Sequence, residues 1–324
     1  MQVSVACFGT MTFGWDPDDW GTTEEESIRL AHKAMDLGVN FFDTANVYAR
    51  GTSERILGKA LSGGRREKVV LATKCHGKMD DDDPNAWGNS RRHIIQACED
   101  SLKRLGTDWI DLYQIHRPQP SVPIDETIRA LDDLVRAGKI RYAGCSTFAA
   151  WQVCEAHYVA RQLGAAGFVS EQPPYNLLDR RIERELLTFC RTYNYAVIPW
   201  SPLAGGMLSG KYLDQKPETG RYAKSDPWNR LKQVPRGPML RFRSLASKAG
   251  HTMATLALAW VANQPGVTSP IIGARNEKQL KESIAACNLK LSPAILKKLD
   301  EIFPPGQHYV NYYSAAFGPN ERPW

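Results

Sequence analysis

Strand-length apolar runs alternate with longer amphipathic segments eight times along these 324 residues, and that rhythm constrains the fold more than any other feature. Runs rich in β-branched and aromatic residues, the types that suit a pleated buried surface, lie at 3–9, 39–43, 69–74, 109–115, 140–146, 168–172, 196–200 and 267–272. Helical spacing of apolar residues predicts helices over 24–37, 53–61, 90–105, 123–137, 149–163, 182–193, 240–248, 252–263, 277–286 and 293–302. The first shows its ends plainly: Thr23 can cap it, acids fill its first turn, and Gly38 follows it. Strand–helix alternation gives parallel strands joined by right-handed crossovers. Eight such units at this length predict an α/β chain closed as a (β/α)8 TIM barrel, one domain spanning 1–324. An irregular excursion rich in Pro and Gly occupies about 204–238, and the tail over 304–324 reads as loop. An open doubly wound sheet is the rival. It wants a Gly-x-Gly-x-x-Gly turn after the first strand, and Gly9-Thr10-Met11-Thr12-Phe13-Gly14 has only the outer glycines.

A closed barrel gathers the C-terminal ends of its strands on one face, where barrel enzymes place their chemistry. Three of those ends carry ionisable side chains, Asp43, Lys74 and His116, and Tyr48 stands on the loop after Asp43. A phenol, ordinarily with a pKa of about 10, is a poor proton donor at neutral pH. A neighbouring ammonium favours the phenolate, and a carboxylate can fix that ammonium by a buried ion pair. With His116 able to hydrogen-bond in the same pocket, the four make a tuned acid aimed at one oxygen atom. The natural substrate is a small-molecule carbonyl, protonated on oxygen as its carbon is attacked. No side chain is evident that could attack that carbon, so an external hydride is called for, and a nicotinamide supplies one. Singly, each residue has a plainer reading: a turn or cap aspartate, a surface lysine, a satisfied turn histidine before Arg117-Pro118, a packed loop tyrosine. Their joint placement favours the functional one.

Nine Lys/Arg against three Asp/Glu in 211–243 account for the whole net charge of +6. A solvated surface loop is the plain reading of that stretch, and an anion site for ligand phosphates is the functional one. No interleaved stacking aromatics or binding motif accompanies the charges, so nucleic acid is not an expected partner. No apolar run approaches the roughly 20 residues of a membrane-spanning helix. Residues 1–5 lack a basic region followed by an apolar core, so no signal peptide is expected. Seven dispersed cysteines without a Cys-x-x-Cys pair predict free thiols in a reducing, cytoplasmic setting. No His/Cys/Asp cluster has ligand-like spacing, so no metal is expected. Trp15, Trp20, Trp87 and Trp228 fall in loops at the catalytic face, where they either wall a pocket or pack the loops. Nothing indicates the oligomeric state.

The ordered motifs from Phe8 to about Ile284 resemble those of the aldo-keto reductase family, and most of all its bacterial and potassium-channel-β-subunit-like branches. They are Gly9-Thr10-Met11, Phe42-Asp43-Thr44-Ala45-x-x-Tyr48, Thr73-Lys74 and Asp111-Leu112-Tyr113-x-Ile115-His116. Further along stand Gly144-x-Ser146, Gln172-x-x-Tyr175-Asn176, Trp200-Ser201-Pro202-Leu203-Ala204-x-Gly206-x-Leu208-x-Gly210-Lys211-Tyr212 and Ile271-Ile272-Gly273-Ala274-Arg275. The resemblance implies a cofactor, NADP(H), and roles for particular residues. Tyr48 would donate the proton, Lys74 and Asp43 would tune it, and His116 would orient the carbonyl. Gly9, Thr10 and Met11 would border the cofactor. Ser146, Thr147 and Gln172 would hold the carboxamide, and either Tyr175 or Trp200 would flank the ring. Ser201, Pro202, Leu203 and Gly205 would line the pyrophosphate, with Lys211 and Arg221 on phosphates. Gly273, Arg275, Gln279, Glu282 and Ser283 would surround the adenosine. Arg275 would take the 2′-phosphate, since a guanidinium forks onto phosphate oxygens. The 204–238 excursion becomes a cofactor clamp in this reading.

Two positions depart from the family pattern: Thr147 and Ser283 stand where Asn is common. A hydroxyl at 147 can still bond the carboxamide, while Ser283 weakens an adenine contact. The hairpin that commonly plugs the barrel bottom has little sequence to form from ahead of the first strand. A non-catalytic, NADPH-binding redox-sensing subunit is the alternative function. A barrel lyase or isomerase using Lys74 as a Schiff-base amine is a third.

Overall fold

Thr23, Ser90, Thr252, Asn276 and Ser292 each accept a hydrogen bond from a backbone N–H of the turn that follows, and each opens a helix. Gly106, left-handed at φ 64°, ends one of those helices at little steric cost. The computed structural model describes residues 1–214, 218 and 220–312. Its strands are β1 (Cys7–Gly9), β2 (Phe41–Asp43), β3 (Val70–Cys75), β4 (Ile110–Ile115), β5 (Ile140–Ser146), β6 (Phe168–Gln172), β7 (Ala196–Val197) and β8 (Ile271–Ile272). Between and after them run α1 (Glu24–Asp36), α2 (Thr52–Leu61), α3 (Arg91–Leu105), α4 (Ile124–Arg136), α5 (Ala150–Leu163) and α6 (Leu186–Thr192). The chain continues through α7 (Arg230–Gln233), α8 (Arg236–Lys248), α9 (Met253–Ala262), α10 (Glu277–Asn288) and α11 (Pro293–Ile302).

All strand pairs are parallel, in the order β7-β6-β5-β4-β3-β2-β1-β8. The ring closes where Val197 bridges Val267, where the Thr268 N–H donates to the Val197 carbonyl at 2.8 Å, and where the Ile271 N–H donates to the Pro199 carbonyl at 2.8 Å. The result is the (β/α)8 barrel expected from the alternation.

Strand side chains alternate between two cores. Cys7, Phe41, Val70, Ala72, Leu112 and Ile198 form a small cluster of their own inside the ring. Phe8, Phe42, Leu71, Cys75, Tyr113 and Ile115 pack outward into the larger cluster shared with the helices. Counting by twos from the inner set places Asp43 after Phe41, Lys74 after Ala72, and Gln114 then His116 after Leu112. The polar groups thus continue the inner face beyond its apolar floor.

Five strands are shorter than predicted, and β1, β7 and β8 lose three residues or more. Pro199 and Pro270 have no N–H to offer a ladder, so β7 stops at Val197 and β8 begins at Ile271. Ahead of β1 the Ser4 N–H bonds the Asn40 side chain at 2.6 Å instead of a neighbouring backbone. The helix predicted over 182–193 is split into a turn at Arg181–Glu183 and α6. The Glu183 carboxylate is drawn away from the helix by the Arg180 guanidinium, the Tyr175 hydroxyl and the Gly306 N–H. The loop predicted for the tail is followed to Tyr312; 313–324 lie outside the described residues, as do 215–217 and 219 of the excursion. No described helix is long and apolar enough to cross a membrane. All seven cysteines are free thiols.

Candidate active site

β2 ends on Asp43, β3 carries Lys74 in its last turn of pleat, and His116 directly follows β4. Tyr48 opens a tight turn, Tyr48–Gly51, in which Ala49 and Arg50 take left-handed φ values of 45° and 51°. Non-glycine residues rarely adopt that conformation. It reverses the chain immediately after the phenol.

The Lys74 ammonium donates to Asp43 Oδ1 at 2.5 Å, to the Thr44 carbonyl at 2.8 Å and to the Tyr48 hydroxyl at 3.5 Å. Asp43 Oδ2 accepts from Gln114 Nε2 at 3.0 Å and Gln172 Nε2 at 2.9 Å. The carboxylate is therefore fully bonded although only 2% exposed. Burial disfavours the Lys74 charge, but Asp43 and then Tyr48 outweigh it and hold the ammonium above its ordinary pKa. The His116 ring stands edge-on to Tyr48, centroids 5.8 Å apart. Burial, then the charges of Arg117 and Lys74, push its pKa well below the ordinary value, so at neutral pH it is an uncharged imidazole. The arrangement offers a phenol hydroxyl beside an ammonium and a neutral imidazole: a proton donor with a second hydrogen-bonding partner.

These groups open onto a cleft of about 550 Å³. Asp43, Tyr48 and His116 line one part of it, with Gly9, Thr10 and Met11 beside them. Ser146 and Gln172 also face it, and the Ser146 hydroxyl donates to the Gln172 carbonyl at 2.8 Å. Trp200, Ser201, Pro202, Leu203 and Gly205 form the wall after β7. Gly205 has φ 66°, and a Cβ there would stand 2.7 Å from the Tyr222 hydroxyl, so only glycine fits. Lys211 and Arg221 reach in from the excursion. Gly273, Arg275, Gln279, Glu282 and Ser283 border the far end at the start of α10, where the Arg275 N–H is tied to Gln279 Oε1 at 3.0 Å.

Two expected cofactor contacts lie elsewhere. Tyr175 does not line the cleft: it is fully buried, its hydroxyl donates to Glu183 at 2.6 Å, and its ring packs on Trp260. Pro173 and Pro174 intervene between Gln172 and Tyr175, and the phenol turns into the outer core. Thr147 also stays off the cleft wall. It is fully buried at φ 63°, and its hydroxyl accepts from Arg117 Nη1 at 2.9 Å. The guanidinium beside it claims the oxygen expected to bond a carboxamide.

Four participants were not anticipated. Gln114 braces Asp43, and strand alternation two residues before His116 would have found it. Arg117 lines the cleft and stands over the Trp200 ring at 5.7 Å. Arg230 also lines it, from within the basic stretch. Glu171 is buried behind the 147–148 turn and accepts from the Phe148 N–H at 3.1 Å. Of the loop tryptophans, Trp20 and Trp228 face the cleft, Trp15 stacks on Trp20, and exposed Trp87 meets His76 edge-on. Among the described residues no group of His, Cys, Asp or Glu is arranged to hold a metal ion.

The chain is similar to several proteins over nearly its whole length. It is 42% identical to an uncharacterized oxidoreductase of Bacillus subtilis, covering 97% of each chain. It is 38% identical to a putative voltage-gated potassium channel subunit beta of Schizosaccharomyces pombe, covering 91% of this chain and 88% of that one. A putative aryl-alcohol dehydrogenase of the same yeast is 37% identical, covering 94% and 93%. Residues 6–303 match the Aldo/keto reductase family, and with the barrel and the cleft as described, the chain belongs to that family.

Proposed function

We propose that this oxidoreductase reduces an aldehyde or ketone to the alcohol, reversibly, with NADPH as the hydride source. The observation that carries the reading is the Asp43–Lys74–Tyr48 chain of contacts at the mouth of the barrel, with neutral His116 beside it. A reduced nicotinamide bound in the cleft supplies the hydride. The Tyr48 hydroxyl holds the proton for the carbonyl oxygen, and Lys74 stabilises the phenolate left behind. Asp43 keeps that ammonium in place, and His116 orients the same oxygen. Ser146 and Gln172 hold the carboxamide end, with Trp200 the aromatic that remains for the ring face. Lys211 and Arg221 take pyrophosphate charge along the Ser201–Gly205 wall.

The far end of the cleft fits the 2′-phosphate of NADP(H). Among the described residues, Lys211, Arg221 and Arg275 have no carboxylate within ion-pair reach, although the chain is rich in surface ion pairs. Burial and the nearby Arg275 guanidinium lower the Lys211 pKa, as expected of two cations sharing a site built for an anion. Arg275 also precedes the capped start of α10, where backbone N–H groups favour a phosphate.

An NADPH-oxidation screen across aldehydes and ketones tests the reading. Turnover of at least one carbonyl class, at rates lost in Tyr48→Phe, is the expected result. NADPH binding without any turnover would instead favour a redox-sensing regulatory subunit, the reading that the channel-subunit relatives bring forward.

A further inference from the structure

We propose that Arg230 and the indole N–H of Trp200 form an oxyanion subsite that binds a carboxylate on the carbonyl substrate. The inference rests on the reductase reading for what the substrate is, and on the following geometry for where its charge goes. Arg230 is only 4% exposed, yet its guanidinium makes no ion pair among the described residues, and its Nε finds no acceptor. It lies over the Trp228 ring at 4.6 Å and over the Tyr312 ring at 4.4 Å. Stacking between two aromatics holds a guanidinium in plane, but offers its N–H edges nothing. A buried charge left without a counter-ion is costly, so a native site that keeps one has a ligand that completes it.

Trp200 supplies a second unanswered donor. Among the described residues its Nε1 is buried without a partner, and its ring meets Tyr312 edge-on at 5.3 Å. Tyr312 is thus the common neighbour of both donors. Both Arg230 and Trp200 line the catalytic cleft. Trp200 also lies under Arg117, the residue after His116, so the subsite is one indole away from the catalytic wall.

The cations of the cleft divide accordingly. Lys211, Arg221 and Arg275 answer the phosphates of the proposed cofactor, Arg117 is engaged by the His116 carbonyl and the Thr147 hydroxyl, and Arg230 is left over. A single planar fork matches a single planar carboxylate. A phosphate monoester, carrying about −1.5 to −2 at neutral pH, would want a second unpaired cation here. The substrate class is therefore an oxo-acid: an aldehyde or ketone bearing a carboxylate.

The test uses the NADPH-loaded full chain and a matched pair, 4-carboxybenzaldehyde and its neutral amide, 4-formylbenzamide. The wild type should favour the acid by about tenfold or more in kcat/KM, the scale of one charged hydrogen-bonded contact. Arg230→Gln should bring that ratio towards one, and Arg230→Lys should restore part of it. Terephthalate, which has no reducible carbonyl, should quench tryptophan fluorescence of the NADP-loaded wild type and not of Arg230→Gln. Equal kcat/KM for acid and amide in the wild type overturns the subsite. So does an acid-to-amide ratio that survives Arg230→Gln, or terephthalate binding indifferent to that change. If neither aldehyde turns over while terephthalate binding still depends on Arg230, the anion subsite stands and the reductase reading falls.

Discussion

Asp43 and Lys74, 31 residues apart in the chain, meet at 2.5 Å with side chains 3% and 0% exposed. Taking two charges out of water is costly, and here the cost is offset because every partner is in place. Two glutamines complete the carboxylate, while a carbonyl and a phenol complete the ammonium.

Removing one partner alone should be severe. Lys74→Met or Asp43→Ala should lower unfolding stability by about 3–5 kcal/mol, since each leaves an uncompensated buried charge. The double variant Asp43→Ala/Lys74→Met should lose less than the sum of the singles. Urea unfolding of the four proteins measures this. Strict additivity would mean that the two charges are not coupled.

The Tyr48 hydroxyl has a narrower task. Tyr48→Phe should lower turnover by about 10²–10⁴-fold, the range expected on loss of a general acid. NADPH affinity, read by fluorescence titration, should change little, because the ring and its turn remain. Unchanged turnover would remove the phenol from the reaction.

Cofactor choice should follow Arg275. Arg275→Ala should weaken NADPH binding by about tenfold or more, in line with about 1.5–3 kcal/mol for a charged hydrogen bond, and leave NADH nearly unaffected. Parallel titrations of the two nucleotides decide it, and equal losses would assign Arg275 some other contact.

Glu171 should make stability depend on pH. Burial raises its pKa from 4.5 to about 7, only partly opposed by the Cys145 thiol and the Phe148 N–H. Between those two values the unfolded chain has shed a proton that the folded chain keeps, so the contribution to stability falls as pH rises from about 4.5 to about 7. Above that window the cost is about 3 kcal/mol. Glu171→Gln should therefore stabilise the protein at pH 8 and change it little at pH 4. Urea midpoints shifted equally at both pH values would contradict this.

Much of the barrel was legible because its two-residue strand rhythm is written in side-chain types. Phe41 and Asp43, Ala72 and Lys74, Leu112 and His116 share a face by counting alone. The clipped strands were also readable in principle, since Pro199 and Pro270 advertise missing donors. Tyr175 was not readable. Its direction depends on Trp260, 85 positions away along the chain, and on an acid drawn out of a broken helix. Thr147 was lost for a similar reason: a hydroxyl looks available until a neighbouring guanidinium is seen to hold it. Arg230 stood in plain view among basic neighbours, but what sets it apart is that no described residue gives it a counter-ion, and only packing reveals that.

The ring of strands is stitched unevenly. Every other pair of neighbours shares a ladder, whereas between β7 and β8 a single bridge and three backbone bonds from Thr268, Ser269 and Ile271 do the joining. That seam is flanked by Trp200 and Ser201 on one lip and Ile272 and Gly273 on the other, all lining the same cleft. A nucleotide lying along it would act as a zip fastener, drawing the two lips together. Amide hydrogens near Val197 and Thr268 should then exchange fastest in the empty protein, and slow more than those of β3 and β4 once the zip is closed.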